Sequence, residues 1–145
     1  MAVDPEASTA MARAFLDALG GSDDDAVRAL FAPEARFWVN ISASVYTVPE
    51  RLDLLALERT HLQDLVFDDV RTLATPSGFV LQFTTRATVV GGEALRIPVC
   101  IVAGIVDGEI TLVEEYADSR AAAPLLRAMF ARGTQTGSPT REQAR

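Results

Sequence analysis

Three apolar segments near the end of the chain, separated by tight-turn signals, constrain its fold most strongly. The segments FVLQFTTRATVV, ALRIPVCIVAGIV and EITLVEEYA are rich in β-branched residues, and Gly91-Gly92 and Asp107-Gly108 separate them. Such dipeptides favour the short turns of β-hairpins. An earlier segment, LVFDDVRTLAT, ends at the turn signal Pro76-Ser77-Gly78 and supplies a further strand. The pattern predicts a meander of long antiparallel strands.

Helical patterns lie on both sides of these strands in the chain. Residues 6–19 carry apolar side chains at helical spacing, and SDDDAVRALF begins with Ser22 as a helix cap followed by acids. Pro49 suits the first turn of a third helix, and Asp118 can cap a last helix. Helices followed by a run of strands and a closing helix predict an α+β domain.

Length and composition indicate one globular domain. The chain has 145 residues, of which 49% are hydrophobic and 23% charged. We expect a single domain over residues 1–132 and a disordered polar tail over 133–145. No apolar run reaches the roughly 18 residues that span a bilayer, and the N-terminus lacks the pattern of a signal peptide. We therefore expect a cytoplasmic protein that does not enter a membrane.

Charge and residue counts argue against several classes of function. The net charge of −7 argues against nucleic-acid binding, which requires a basic surface. All 13 basic residues are arginine, which excludes Schiff-base lysines and the phosphate-loop lysine. A single cysteine, Cys100, and a single histidine, His61, argue against disulfides, the usual metal centres and serine hydrolase triads. We expect no metal and no organic cofactor.

The adjacent Glu114 and Glu115 in the last strand must face opposite sides of the sheet. One of them therefore points to the side that the sheet covers. The segment 97–106 is apolar on both faces, which predicts that both faces of the sheet are covered. We expect a second subunit on one face, giving a homodimer through the sheet in which Tyr116 suits the interface.

The segments FLDALGGSDDDAVRALFAPEARFWVN and GIVDGEITLVEEYADS, with this order of elements, resemble the nuclear transport factor 2-like superfamily. Within it, the chain is similar to the SnoaL-like polyketide cyclases and the limonene epoxide hydrolases, over roughly residues 8–130. The resemblance implies a cone-shaped curved sheet, mixed or antiparallel, wrapped by three N-terminal helices, with a C-terminal helix. It also implies an apolar pocket inside the cone.

The resemblance implies a role for Glu115. In the limonene epoxide hydrolases, an arginine and an aspartate two residues apart on one strand meet an aspartate of the last strand. Here Arg86 and Glu115 match two of these positions, while Thr88 replaces the middle acid, which counts against simple epoxide hydrolysis. Burial in an apolar pocket raises the pKa of a carboxyl group and suits it to proton transfer. The alternative is that Glu115 and Arg86 form only a structural ion pair.

Asn40 and His61 are the other candidate catalytic residues. Asn40 lies near where related enzymes place a general base or a water-holding amide; alternatively, it ends a strand and satisfies backbone groups. His61 lies late in the third helix, which lines the pocket in the family, and the alternative is a cap or surface residue. Only apolar residues occupy 99–102, where ketosteroid isomerases carry a second acid, so that reaction is not expected.

Several further residues would line the pocket or belong to the core. Cys100 lies on an apolar strand and is expected to be a small inert hydrophobe. The aromatic residues fit a pocket wall or a core equally well. The candidate substrate-binding residues are Phe37, Trp38, Phe83, Thr88, Cys100, Val102, Val113 and Ala117.

These observations and the resemblance favour a small enzyme of bacterial secondary metabolism. It would hold an apolar polyketide- or terpenoid-like molecule and promote cyclisation or isomerisation by confinement and acid/base help. A second hypothesis is epoxide opening by Glu115, Arg86 and Asn40. A third is a non-catalytic ligand-binding or dimerisation module, against which a pocket of roughly 300 Å³ or more beside Glu115 would count.

Overall fold

The computed structural model describes residues 2–21 and 23–143, with side chains to residue 131. Within this range, no helix is long and apolar enough to cross a membrane. The sequence patterns described above predict the four helices and the last four of the six strands. In chain order the elements are α1 (Pro5–Gly20), α2 (Asp24–Arg28), β1 (Phe31–Val39), β2 (Ser44–Thr47), α3 (Val48–Thr60), β3 (Leu62–Thr75), β4 (Gly78–Val89), β5 (Ala94–Val106), β6 (Glu109–Ala117) and α4 (Ser119–Gln143).

The six strands form one curved, unclosed sheet in the order β2-β1-β6-β5-β4-β3. Neighbouring strands are antiparallel except β1 and β6, which are parallel. A parallel pair needs a long crossover connection, and the chain from β2 through β5 supplies it. The sheet is therefore mixed, and the predicted α+β class with a curved sheet and covering helices is confirmed.

Alternation along the strands gives the sheet an inner and an outer face. On β4, Phe79, Leu81 and Phe83 point to the inner face, where the helices pack. Phe15 of α1 meets Phe79 there, with ring centroids 6.1 Å apart. The intervening residues of each strand point to the outer face, which no described helix covers. Large apolar side chains that remain exposed on the outer face include Val45, Val66, Leu73, Val102, Leu112 and Tyr116.

Buried apolar side chains form two clusters on the inner face. The first joins α1, α2 and α3 to the sheet around Phe15, Phe37 and Phe79. The second joins α4 to β4 and β5 around Ile97 and Leu125. Side chains that pack against each cluster meet in the space between them.

The edge strand β3 contains two irregularities. Its register with β4 shifts within residues 63–66 and again within residues 68–71. Asp64 and Asp69, with φ of 56° and 54°, adopt the left-handed conformation there, which aspartate tolerates better than most residues. Each extra residue bends the strand and strengthens its twist, so the two bulges help β3 follow the curvature of the sheet.

The helix ends match the sequence pattern except at α2 and α4. The carboxylate of Asp23 caps α2 by accepting two backbone N–H groups of its first turn, whereas the expected cap, Ser22, lies outside the described residues. Asp118 caps α4 in the same way, as expected. The backbone of α4 continues as a helix to Gln143, so this helix is longer than the sequence predicts. The division of the chain at residue 132 into a domain and a tail stays a prediction.

Candidate functional site

A cavity of about 120 Å³ lies on the inner face, between the two hydrophobic clusters. Apolar side chains such as Leu55, Phe67 and Leu125 form most of its wall. This volume is below the range of about 300–1,000 Å³ that is typical of pockets for drug-sized ligands. The cavity therefore admits a small molecule or one end of a larger one. The charged side chains in its wall are Arg51, Glu58, Arg59 and Glu115.

Glu115 reaches this cavity from the middle of the sheet. On β6 it lies beside Val39 of β1 and Ile101 of β5, and its side chain is 14% exposed. Glu114 and Tyr116 point to the outer face, where the Tyr116 ring lies 5.1 Å from that of Trp38. Glu115 is thus the inward member of the adjacent acid pair.

A buried arginine holds two carboxylates together at the cavity wall. Nη1 of Arg51 lies 3.3 Å from Oε1 of Glu58, and its Nη2 lies 3.5 Å from Oε1 of Glu115. The guanidinium carbon also lies 5.2 Å from the centre of the Phe37 ring, in a cation–π contact. We call Arg51, Glu58 and Glu115 the Arg51 cluster.

Helix α3 places Arg51 and Glu58 on one face. The helix begins at a capping box, in which Thr47 accepts the N–H of Glu50 and Glu50 accepts that of Thr47. Arg51 and Glu58 are seven residues apart, which is close to two helical turns, and Leu55 lies between them on the same stripe. Sequence reasoning missed both residues. Their spacing within PERLDLLALE is the signal that could have identified them.

Burial and charge shift the pKa values of two members of the Arg51 cluster, Glu58 and Arg51. Burial raises the pKa of Glu58, and the Glu115 charge adds to this rise, while Arg51 opposes it. Burial acts to lower the pKa of Arg51, but Glu115 and Glu58 outweigh it and raise that pKa, so the guanidinium stays charged. One positive charge therefore lies between two carboxyl groups, of which Glu58 has a raised pKa.

Arg59 closes the cavity wall at the end of α3. Its Nη2 donates to the carbonyl of Leu19 at 3.1 Å, and its Nη1 lies 3.6 Å from the carboxylate of Asp24. These contacts tie α3 to the end of α1 and to α2. The geometry makes Arg59 a link between the three helices beside the cavity.

A family model described as a SnoaL-like domain matches residues 12–113, which is more than half of the chain. The chain belongs to this SnoaL-like family. No curated protein matches the SnoaL-like domain in sequence.

Solved structures of other proteins share the fold of this SnoaL-like domain. PrhC from Penicillium brasilianum NBRC 6234 is 14% identical with a TM-score of 0.75, covering 90% of this chain and 91% of that one. An NTF2-like protein from Burkholderia xenovorans LB400 is 13% identical with a TM-score of 0.69, covering 84% and 97%. A protein with a ketosteroid isomerase-like fold from Catenulispora acidiphila DSM 44928, in complex with trimethylamine, is 14% identical with a TM-score of 0.65, covering 73% and 83%. At these identities the likeness shows the fold alone.

Arg86 does not meet Glu115 in the SnoaL-like domain. Arg86 and Thr88 point to the outer face, and Nη1 of Arg86 donates to Oδ2 of Asp68 at 2.7 Å. The reason is alternation: Arg86 lies three residues after the inward Phe83, so the two side chains must face opposite ways. The expected pairing of Arg86 with Glu115 is therefore corrected, and Arg51 takes the position of the partner.

In the SnoaL-like domain, the Asn40 side chain and the His61 carbonyl form hydrogen bonds with backbone groups of other segments. Oδ1 of Asn40 accepts the N–H of Ala117 at 2.9 Å, and its Nδ2 donates to the Ala117 carbonyl at 3.1 Å. The Asn40 side chain thus extends the ladder between β1 and β6, as the structural alternative proposed. His61 ends α3, where its carbonyl accepts the N–H of Val90 at 2.8 Å, and its side chain is not among those that line the cavity.

The candidate substrate-binding residues divide between the two faces. Phe83 and Ala117 line the cavity. On the inner face lie Phe37, Phe83, Val113 and Ala117. On the outer face lie Trp38, Thr88, Cys100 and Val102. The expectation that the latter four line the pocket is corrected, because they alternate with inward residues.

Two open depressions of about 580 Å³ each lie on the outer face, one beside Cys100 and one beside Arg86 and Thr88.

Proposed function

We propose that this SnoaL-like domain is a small-molecule cyclase or isomerase that transfers protons within the inner cavity. The observation that supports it is the Arg51 cluster, in which two carboxyl groups share one buried guanidinium in an apolar wall. Burial raises the pKa of Glu58, and Nη2 of Arg51 lies 3.5 Å from the carboxyl group of Glu115. A protonated acid and a carboxylate base at one cavity are what isomerisation by proton transfer requires.

The proposed reaction moves two protons and leaves the oxidation state unchanged. Glu115 removes a proton from one carbon of the substrate, and Glu58 gives its proton to another atom, so that a double bond shifts or a ring closes. The negative charge passes from Glu115 to Glu58, and Arg51 compensates it at both positions. Exchange with solvent then returns the protons to their starting positions. Confinement of the substrate in a reactive pose lowers the activation barrier further.

Because apolar side chains form most of the cavity wall, we propose an apolar substrate of the polyketide or terpenoid kind. We also propose that the protein acts in bacterial secondary metabolism, in the cytoplasm. Because the cavity is only about 120 Å³, such a molecule would place one ring or one functional end beside Glu115. The trimethylamine complex of the Catenulispora acidiphila protein supports small-molecule binding by this fold. The reaction requires no metal and no organic cofactor.

Epoxide opening is a second candidate, favoured by one specific observation. The two carboxyl groups around Arg51 supply the acid–arginine–acid set of the limonene epoxide hydrolases. Glu58 of α3 takes the place of the middle acid, at whose position this chain has Thr88. Glu58 would protonate the epoxide oxygen, and Glu115 would deprotonate the attacking water. However, Asn40 is not among the residues that line the cavity, and its amide is bonded to the backbone of Ala117, so it is not placed to hold that water. We therefore rank this candidate second.

The experiment is a hydrogen–deuterium exchange assay by NMR on small cyclic ketones and enones, with purified protein in D₂O. The wild type is expected to accelerate exchange at the carbon next to the carbonyl, and Glu115→Gln to slow it by about 10²–10⁴-fold. Asp68→Asn, which removes an acid from the outer face, is the matched control and should exchange at the wild-type rate. Equal rates in wild type and Glu115→Gln would exclude Glu115 as the base. Epoxides supplied in H₂¹⁸O test the second candidate through label in a diol.

We also propose that a second copy of the chain covers the outer face. Apolar side chains on this face, including Val102 and Tyr116, are exposed and form a possible contact surface. No helix that the structure describes covers them. Two ion pairs lie on the same face, Arg86 with Asp68 and Arg96 with Asp69, and Glu114, opposite Val102, also points outward.

Sedimentation velocity tests this interface. The wild type is expected to sediment as a dimer and Val102→Glu as a monomer, since a charge at the centre of an apolar interface loses its hydration. Val90→Glu, at an exposed position in the β4–β5 turn, is the control and should remain dimeric. A wild type that is monomeric at micromolar concentration would contradict the proposal that a second copy covers the outer face.

A further inference from the structure

The ring of Phe67 forms the wall of the inner cavity on the side of helix α1. Phe67 lines the cavity, and its Cε2 lies 3.3 Å from the position that a Cβ atom on Gly20 would occupy. The ring therefore packs directly on the end of α1, where Gly20 has no side chain. It also contacts the ring of Phe83, with the two centroids 5.0 Å apart. Removal of the Phe67 ring would extend the cavity towards the backbone of α1.

The first bulge of β3 allows Phe67 to point into the cavity. Leu62 and Phe67 both line the cavity, although they are five residues apart on the same strand. In a regular strand, an odd separation places two side chains on opposite faces. The extra residue within 63–66 removes this mismatch, and bulges beside functional sites often direct a side chain in this way. The place of Phe67 in the wall thus depends on an irregularity of the strand.

We propose that Phe67 sets the size limit of the ligand, so that the inner cavity admits one six-membered ring and excludes two fused rings. The inference rests on the proposed function and adds to it the size class of the substrate. The cavity measures about 120 Å³. An engineered apolar cavity of about 150 Å³ in another protein binds benzene, so one ring is the appropriate scale. A second fused ring would need the space that the Phe67 ring occupies.

Phe67 is held less firmly than Phe83, the other aromatic residue of the wall. Phe83 belongs to β4, which has a neighbouring strand on each side, and only 6% of it is exposed. Phe67 is partly exposed and lies on the edge strand β3, between its two bulges. A change of side chain at position 67 therefore alters the size of the cavity without disturbing the centre of the sheet.

Binding of benzene and naphthalene to the full chain, measured by NMR titration, tests the proposal. Both probes are neutral aromatic hydrocarbons, so they differ in size and not in functional groups. Wherever both fit, burial of the larger apolar surface favours naphthalene. The wild type is expected to show the opposite preference and to bind benzene about tenfold more tightly, because a filled cavity resists additional carbon atoms.

Three variants assign the size limit to one residue. Phe67→Ala should reverse the preference, so that naphthalene binds more tightly than benzene. Val66→Ala is the matched control, because Val66 is the preceding residue of the same strand and is 51% exposed. Leu55→Ala removes a smaller side chain from the α3 side of the wall and should shift the preference less than Phe67→Ala. If Phe67→Ala does not fold, Phe67→Leu should shift the preference in the same direction by a smaller amount.

Several outcomes would overturn the size limit. These are a wild type that binds naphthalene as tightly as benzene, a wild type that binds neither probe, and an unchanged preference in the Phe67 variants. A reversal in Leu55→Ala as large as that in Phe67→Ala would overturn the assignment to Phe67.

The proposed function is tested separately, by the exchange assay on Glu115→Gln. Exchange without a size preference would support proton transfer and overturn the size limit. A size preference without exchange would overturn the proposed function and leave a cavity that selects its ligand by size.

Discussion

The sheet carries an arginine–carboxylate interaction on each face, and the two differ in burial more than in chemistry. On the outer face, Arg86 contacts Asp68 at 2.7 Å with its side chain 57% exposed. On the inner face, Arg51 contacts Glu58 and Glu115 at 3.3 and 3.5 Å with its side chain 7% exposed. The shorter contact has the smaller effect on stability, because solvent screens an exposed pair. Burial decides which of the two sites perturbs a pKa.

Replacing each of the two arginines in turn should reveal the largest difference in stability between the two faces. Arg51→Met leaves two partly buried carboxyl groups without their counter-charge, so the free energy of unfolding should fall by about 3 kcal/mol. The matched variant Arg86→Met, on the outer face, should change it by no more than about 1 kcal/mol. Urea unfolding at pH 7, followed by circular dichroism, measures both values.

A triple variant sharpens this test. In Arg51→Met/Glu58→Gln/Glu115→Gln no buried charge remains, and much of the lost stability should return, because replacing a whole buried ion cluster is often close to neutral. Equal losses in Arg51→Met and Arg86→Met would show that burial does not separate the two faces.

Replacing Asn40 should have a smaller effect on the free energy of unfolding. Asn40→Ala removes both hydrogen bonds to Ala117, and the free energy of unfolding should fall by about 1–3 kcal/mol. Faster amide exchange at Ala117 should accompany the loss. Asn40→Asp keeps the acceptor for the Ala117 N–H and should retain part of the stability. A variant that loses activity with unchanged stability would argue instead for a direct catalytic role.

The pH dependence of stability should reveal Glu58. Its pKa is raised in the folded state, so between the unfolded and folded values the folded chain binds more protons. The free energy of unfolding from this group is therefore largest below the unfolded pKa of about 4.3 and falls as pH rises through the folded pKa. The slope is at most about 1.4 kcal/mol per pH unit for one proton.

Unfolding of wild type and Glu58→Gln between pH 4 and 8 measures this contribution. Relative to the wild type, Glu58→Gln should become more stable as the pH increases. Asp68→Asn controls for the change in net charge. A difference between wild type and Glu58→Gln that does not vary with pH would contradict the raised pKa.

Alternation within strands was the most informative part of the sequence, and it was not applied everywhere. It required Glu114 and Glu115 to face opposite sides, and the family resemblance then indicated that Glu115 is the inward one. The same rule shows that Arg86 cannot share a face with Phe83, three residues away, nor Trp38 with Phe37. The family resemblance, applied by position, overrode this local rule on β4. Both errors could have been avoided from the sequence alone.

Long-range placement could not be predicted in the same way. The spacing of Arg51 and Glu58 puts them on one face of α3, but the rotation of that helix against the sheet depends on packing around Leu52 and Leu55. Likewise, the contact of Asn40 with Ala117 joins residues 77 positions apart, across a parallel pair of strands that no local pattern indicates. Such contacts arise from the tertiary structure.

The bulges of β3 have a consequence for how the protein behaves in a concentrated solution. β3 is the longest strand, with 14 residues, and forms one edge of the sheet. A flat edge of that length would be a template on which strands of other molecules could add and grow into fibrils. The left-handed Asp64 and Asp69 interrupt its regular row of N–H and C=O groups and place carboxylates beside the gaps. β3 is thereby protected against ordered aggregation along its edge.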